Sequence, residues 1–351
     1  MTKADISIVI PTHERQHVLK RAIEYYQSFD LANIIICDSS VQPNLFAINN
    51  DKIVYHHLPG MSFAAKILFG ITESVTPFIC LSADDDFLGQ TGLNSGLNFL
   101  KQHHDYVSVQ GMYTQFTYQG NSRTLFYNLS NKYINNQLQS DIPEERVVAS
   151  MKPYIQQLYS LHRKEAIAKA IQLAVLVPRI TNVEIACSLV SMIFGKHKIL
   201  NEFWMARDSR RYTAYNLSGN NINTVIVKYE EYLKTSEGES FKYNYGIIFA
   251  SLTNSSVLFG EEVFNKAFEQ YFAATNEKKE VKSSELKIKS ILKKWVPGAI
   301  AFQWRKRKMN QIYFGNQCVS LHPDWMFMKK IINKYGFLDD EKKVVHLQEN
   351  S

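Results

Sequence analysis

The chain has 351 residues, 45% hydrophobic and 13% aromatic, enough to bury a sizeable core in one large domain or two ordinary ones. No apolar run reaches the 18 or so residues of a membrane span, and the short, charged N-terminus lacks a signal peptide's apolar stretch, so a cytoplasmic protein is expected. A net charge of +7 and an isoelectric point near 9.0 favour an anionic partner, whether nucleotide, phospholipid or nucleic acid, without choosing among them.

Compact β-rich runs alternate with helical patterns at the start of the chain. Ile6–Ile10 reads as a strand stopped by Pro11, and the helix that follows places Leu19, Ile23 and Tyr26 on one face. Ile34–Cys37 is a second strand, the run around Val54 a third, and residues 62–72 a helix that turns Phe63, Ile67 and Phe69 or Ile71 inward. Phe78–Leu81 is the fourth strand, with a helix over Gly92–His104 after it. Continuous apolar strands alternating with helices predict an α/β fold whose parallel sheet is covered on both faces. In such sheets ligands bind beyond the carboxyl ends of the strands.

From Tyr106 to Leu138 the sequence turns polar and aromatic, suggesting irregular or antiparallel strands. Arg146–Val177 is helical apart from a break near Pro153 and a strand-like run at Leu158–His162, and Glu184–Phe194 is a helix ended by Gly195. Beyond about Asn220 the pattern is mainly helical and richer in Lys and Glu, so a boundary is placed there, between regions 1–220 and 221–351. The four cysteines, Cys37, Cys80, Cys187 and Cys318, lack CxxC spacing and a matching His cluster, which argues for reduced core residues over a zinc site. The adjacent pairs His56–His57 and His103–His104 point apart on any regular element and cannot chelate.

The fourth strand runs straight into Asp84, Asp85 and Asp86. Adjacent carboxylates repel and raise one another's pKa, so either they splay into solvent, capping the next helix, or something positive sits among them. A strand, an acidic cluster and then a helix suit a hard divalent cation held by one or two carboxylates and a ligand's phosphates. The chain has no GxGxxG fingerprint and no P-loop, and the aspartates lack the pattern of aspartyl-nucleophile phosphatases.

Together, SIVIPTHER at the N-terminus, IIICDSS on the second strand and FICLSADDDF on the fourth resemble the nucleotide-sugar glycosyltransferases of the GT-A fold, family 2 type, over roughly Ile6 to Arg211. The resemblance implies a GT-A domain with a mainly helical C-terminal extension. It also implies a metal-dependent, inverting transfer of a sugar, with UDP the expected nucleotide, to a glycan or lipid-linked acceptor in cell-envelope polysaccharide synthesis. Carried over by position, Pro11, Thr12, Glu14 and Arg15 line the nucleotide pocket, and Asp38 contacts the base. The DxD motif falls on Asp84 and Asp86 with Asp85 between: Asp86 as direct ligand of Mn²⁺ or Mg²⁺, Asp84 and Asp85 on the nucleotide side, with Asp84 reaching the metal directly or through water.

The general base implied by the resemblance falls on Glu184, with Asn182 as its helix cap, although relatives carry two acids where this chain has Glu184–Ile185. An ordinary first-turn glutamate explains the residue equally well. Arg207, Arg210 and Arg211, beside Trp204 and Tyr212, suit a diphosphate because guanidinium binds it bidentately; a solvated surface is the alternative. Arg163 either faces the sugar or caps a helix. Residues 282–308 hold nine Lys or Arg and one Glu, with Ile288, Ile291, Leu292 and Trp295 on one helical face. That segment either lies on an anionic membrane at the inner face of the cell envelope or docks on the rest of the protein. A non-enzymatic reading, an inactive nucleotide fold that binds nucleic acid or membrane, lacks the interleaved aromatic and basic residues of such surfaces in the N-terminal half.

Overall fold

The computed structural model describes residues 4–30, 32–50, 52–118, 125–129, 136–209, 229–274, 303–304, 307, 311–314 and 317–335. β1 (Ile6–Thr12), β2 (Ala32–Asp38), β3 (Ile53–His57) and β4 (Phe78–Leu81) form the parallel half of one sheet in the order β3-β2-β1-β4. The crossovers carry α1 (Gln16–Tyr26), the short α2 (Leu45–Ile48) and α3 (Phe63–Glu73). The sheet continues through β8 (Leu161–Arg163), antiparallel to β4, then β6 (Tyr106–Tyr118), β9 (Lys196–Asp208) and the two-residue β5 (Phe87–Leu88), while β7 (Leu125–Leu129) folds back on β6. This mixed sheet, with β8 inserted antiparallel between β4 and β6, β5 and β7 antiparallel at its far side, and helices on its faces, is an α/β fold as expected from the sequence.

Alternation along β1 shows how the sheet is covered on both faces. Ile6, Ile8 and Ile10 share a core with α1, α4 (Gln90–Gln102) and the helix Pro323–Tyr335; Val9 points into a second core with α3, α6 (Lys164–Leu176) and α7 (Ile180–Phe194). Gly70 lets α3 lie flat on the strands, since a Cβ there would come within 2.7 Å of Val9 and 2.8 Å of Cys37.

The sequence reading is met at one place and corrected at two. The stretch from Tyr106 forms antiparallel strands as expected, the thirteen-residue β6 pairing antiparallel with β7 and β8, and also parallel with β9. β9, with Trp204 buried, is a strand for which no pattern was noted, because buried Phe203–Ala206 follows a half-exposed stretch and breaks the alternation. Residues after 220 do not stand apart. Phe241, Tyr245 and Phe249 of the helix Ser236–Thr253, with Phe264 and Phe268 of the helix at 257–274, complete the core on α6 and α7. Trp325 of the final helix enters the opposite core, its ring 4.8 Å from that of Tyr127. The basic segment 282–308 lies outside the described residues except at 303–304 and 307. Among the described residues no helix is long and apolar enough to cross a membrane.

Candidate active site

β4 stays paired with β1 only as far as Val9 and Leu81, with one more bond from Ser82 N–H to the Val9 carbonyl at 3.0 Å. Pro11 presents its backbone to the same edge as Val9, where β4 has already departed, so its missing N–H costs no ladder bond there. Into this opening turn Asp84, Asp85 and Asp86.

The carboxylates are not splayed into solvent: Asp84 and Asp86 are each 3% exposed. Asp84 Oδ2 accepts from Thr12 Oγ1 at 2.6 Å and its Oδ1 from Arg15 Nη1 at 2.5 Å, while Arg15 Nη2 donates to Asp85 Oδ2 at 2.8 Å. Asp86 Oδ1 accepts the Asp208 backbone N–H at 2.9 Å and its Oδ2 accepts Arg207 Nε at 3.3 Å. Behind them Arg21, fully buried, donates to the Asp85 carbonyl at 2.7 Å, pairs with Asp208 at 3.5 Å and stacks on Phe87. Something positive does sit among the aspartates, and it is guanidinium. Burial still pushes the carboxyls up, Asp84 to about 6 and Asp86 to about 7, with Asp85 adding to both rises and Arg15 and Arg207 opposing them.

The loops after β1 and β2 are sewn together. Glu14 adopts a left-handed φ of 52°, donates its N–H to Ser40 Oγ at 2.7 Å and accepts the Val41 N–H on Oε1 at 2.7 Å. Asp38 is fully buried: Oδ1 accepts from Ser40 N–H at 2.8 Å and from Ser40 Oγ at 2.5 Å, and Oδ2 from the Tyr55 hydroxyl at 2.7 Å. As placed, Asp38 shapes the loop that a base would meet. Lys66, buried in the first turn of α3, donates to the Thr12 carbonyl at 2.5 Å and to Ser39 Oγ at 2.9 Å, with Asp38 and Asp84 as its nearest charges.

Glu184 reaches the same centre from the other side. It lies in the second turn of α7, which begins at Ile180, so neither it nor Asn182 is at the helix start; Asn182 is buried, bonded to the Val177 carbonyl at 2.9 Å and the Tyr232 hydroxyl at 2.8 Å. The Glu184 carboxyl neighbours Arg207, Tyr154 and Gln156, and burial raises its pKa against their opposing pull. Arg207 links the two sets: it holds Asp86 through Nε, donates to Gln156 Oε1 at 3.1 Å and lies over the Tyr159 ring.

One expected site residue is not brought here. Arg163 opposes Phe78, at the amino end of β4, and donates to the carbonyls of Tyr106, Leu100 and His103, closing the end of α4. It is a helix cap, because its guanidinium meets three orphan carbonyls before it could reach a ligand. Arg210 and Arg211 lie outside the described residues. Lys66, Arg21, Tyr55 and Gln156 are the site residues that pattern reading passed over. Lys66 and Arg21 had left a signal, a cation three residues from Phe63 or Val18 on the inward face of an apolar helix.

The donor set does not fit a divalent cation as arranged. Each oxygen of Asp84 and Asp86 accepts a protein donor, two of the four donors are guanidiniums, and among the described residues no three His, Cys, Asp or Glu side chains converge.

No family model matches the chain, and no curated protein sequence does. Among solved structures, that of S. aureus TarS 1-349 is similar over 79% of this chain and 91% of that one, with 10% identity and a TM-score of 0.45. TarS 1-349 in complex with UDP-GlcNAc gives 79%, 92%, 9% and 0.44 in the same order. In the longer TarS structure the similarity covers 77% of this chain and 54% of that one, at 9% identity and a TM-score of 0.43.

Proposed function

We propose that this chain is a nucleotide-sugar glycosyltransferase that moves a sugar from a donor, expected to be UDP-linked, to a hydroxyl of a glycan or lipid-linked acceptor in envelope polysaccharide synthesis on the cytoplasmic side of the membrane. The observation that carries the reading is the juxtaposition made by Arg207: on one side the acid–guanidinium cluster at the sheet's carboxyl edge, on the other the partly buried Glu184, whose pKa is raised by desolvation. The motif resemblance supplies the substrate class.

Each half of that arrangement has a task in the reaction. The leaving nucleoside diphosphate gains negative charge as the bond from the anomeric carbon to its phosphate oxygen breaks, and the partly exposed guanidiniums of Arg15 and Arg207 stabilise that charge. The acceptor oxygen forms the new bond to the same carbon while its proton passes to the Glu184 carboxylate, leaving glycoside, nucleoside diphosphate and a protonated glutamate. Desolvation raises the Glu184 pKa above the usual glutamate range, which strengthens the carboxylate as a proton acceptor. A single displacement of this kind inverts the anomeric centre.

Glu184→Gln keeps the shape and removes the base. Transfer is expected to slow by about 10²- to 10⁴-fold, the range for a positioned general base, while calorimetric UDP affinity stays within about threefold of the parent. Unchanged turnover in this variant would remove Glu184 from the chemistry.

A further inference from the structure

We infer that Arg15 and Arg207 supply the counter-charge of the aspartate cluster themselves, so that a nucleoside diphosphate binds here without a divalent cation, its phosphate oxygens taken by these two guanidiniums. The inference rests on the nucleotide reading above and departs from the metal-dependent expectation of the motif.

Exposure decides which charge a ligand meets. The Arg15 and Arg207 side chains are 19% and 32% exposed, whereas those of Asp84 and Asp86 are each 4% exposed. Asp84 and Asp86 therefore lie beneath the guanidiniums, with the Asp85 side chain 15% exposed beside Arg15. An arriving cation would have to displace Arg15 from Asp84, or Arg207 from Asp86, before reaching either buried carboxylate. Arg15 spans two acids as a fork, one Nη on Asp84 and the other on Asp85. Arg207 uses Nε on Asp86 and Nη1 on Gln156, and its Nη2 has no partner among the described residues. That hydrogen-bond donor is the group expected to take the first phosphate oxygen.

The buried charges behind this surface fix the arrangement. Arg21, fully buried, holds the Asp85 carbonyl and the Asp208 carboxylate, and Lys66 holds the Thr12 carbonyl. Asp84, Asp85, Asp86 and Asp208 thus face Arg15, Arg21, Arg207 and, at longer range, Lys66, so that each of these acids has a cation beside it before any ligand enters. A diphosphate, whose charge falls on the two exposed guanidiniums, is met by donors already ordered.

Two titrations of the full chain test this. In the first, Mn²⁺ is added to nucleotide-free protein and free ion is followed by electron paramagnetic resonance. Binding is expected to be weaker than about 1 mM, and to tighten about tenfold or more in Arg15→Gln/Arg207→Gln, where the carboxylates lose their cations. Should the double variant fail to fold, Arg207→Gln alone is read, with Asp86 as the freed acid. In the second, UDP is titrated calorimetrically in EDTA and in Mn²⁺. The dissociation constants are expected to agree within about threefold, and Arg207→Gln to weaken binding in EDTA by about tenfold or more. Tight Mn²⁺ binding by the parent chain, or UDP binding only with Mn²⁺, overturns the inference and leaves the nucleotide reading standing. No UDP binding in either buffer overturns the nucleotide reading and this inference with it.

Discussion

At the scale of single residues, what decides the candidate site is how each buried charge is answered. The three aspartates were legible in the sequence because like charges at a strand end demand an explanation, and Thr12 and Arg15 were legible from their place after the first strand. The identity of the answering cations was not, since Arg207 is 121 residues from Asp86 and reaches it only through the β5–β9 pairing. A second buried polar group shows the same principle away from the site. His162 and His197 are fully buried, linked through Ser108 and Gln157, and burial lowers their pKa values to about 4 and about 3. Both are neutral in the fold, while an unfolded histidine titrates near 6.5. Their contribution to stability is present above that value and lost as pH falls through about 4 and 3, amounting to on the order of 3 kcal/mol each. Asp84 and Asp86 act with the opposite sign: their pKa values are raised, so the stability they contribute is lost as pH rises through about 6 and 7. Between about pH 4 and 6 the two histidines gain stability with rising pH at the rate at which the two aspartates lose it, so urea midpoints are expected to stay nearly level across that window. In His197→Gln the aspartates outweigh the remaining histidine, so the midpoint of the variant should fall as pH rises from about 4 to 6, and a level profile in that variant would show that His197 does not carry its part.

Among the elements, the parallel β1–β4 half was readable because each strand is a short apolar run with a helix after it, a pattern with a single period at each step. The second half was not. β8 has three residues and β5 two, too short to show any alternation, and β9 pairs with β6 through bulges that shift its register three times. The final helix, Pro323–Tyr335, looked like part of a separate tail but is a brace on α1 and α4. Asp324 accepts the Thr91 N–H at 2.9 Å in the first turn of α4, Lys334 and Tyr335 each bond Glu24 of α1 at 2.6 Å, and Trp325 is 1% exposed. Trp325→Ala is expected to cost about 3–5 kcal/mol of unfolding free energy, measured by urea denaturation. A loss below about 1 kcal/mol, the scale of a surface change, would mean that the helix is not docked there.

For the molecule as a whole, the boundary near Asn220 marks a change in composition and not a seam in the packing. The helices at 236–253 and 257–274 finish the core over α6 and α7, beside Glu184, and the last helix finishes the core over α1 and α4. A chain cut after residue 220 would expose both apolar faces, so it is expected to be aggregated or to lack a cooperative unfolding transition by circular dichroism. A monomeric fragment melting as sharply as the full chain would restore the two-domain picture. The central claim, that nucleoside diphosphate binds at the acid–guanidinium edge of the sheet, is tested most directly by a crystal structure of the full chain with UDP. The expected result is uracil against the sewn loops at Glu14 and Ser40, with the diphosphate between Arg15 and Arg207. Nucleotide bound elsewhere, or the aspartates turned out into water with their arginines gone, would contradict it.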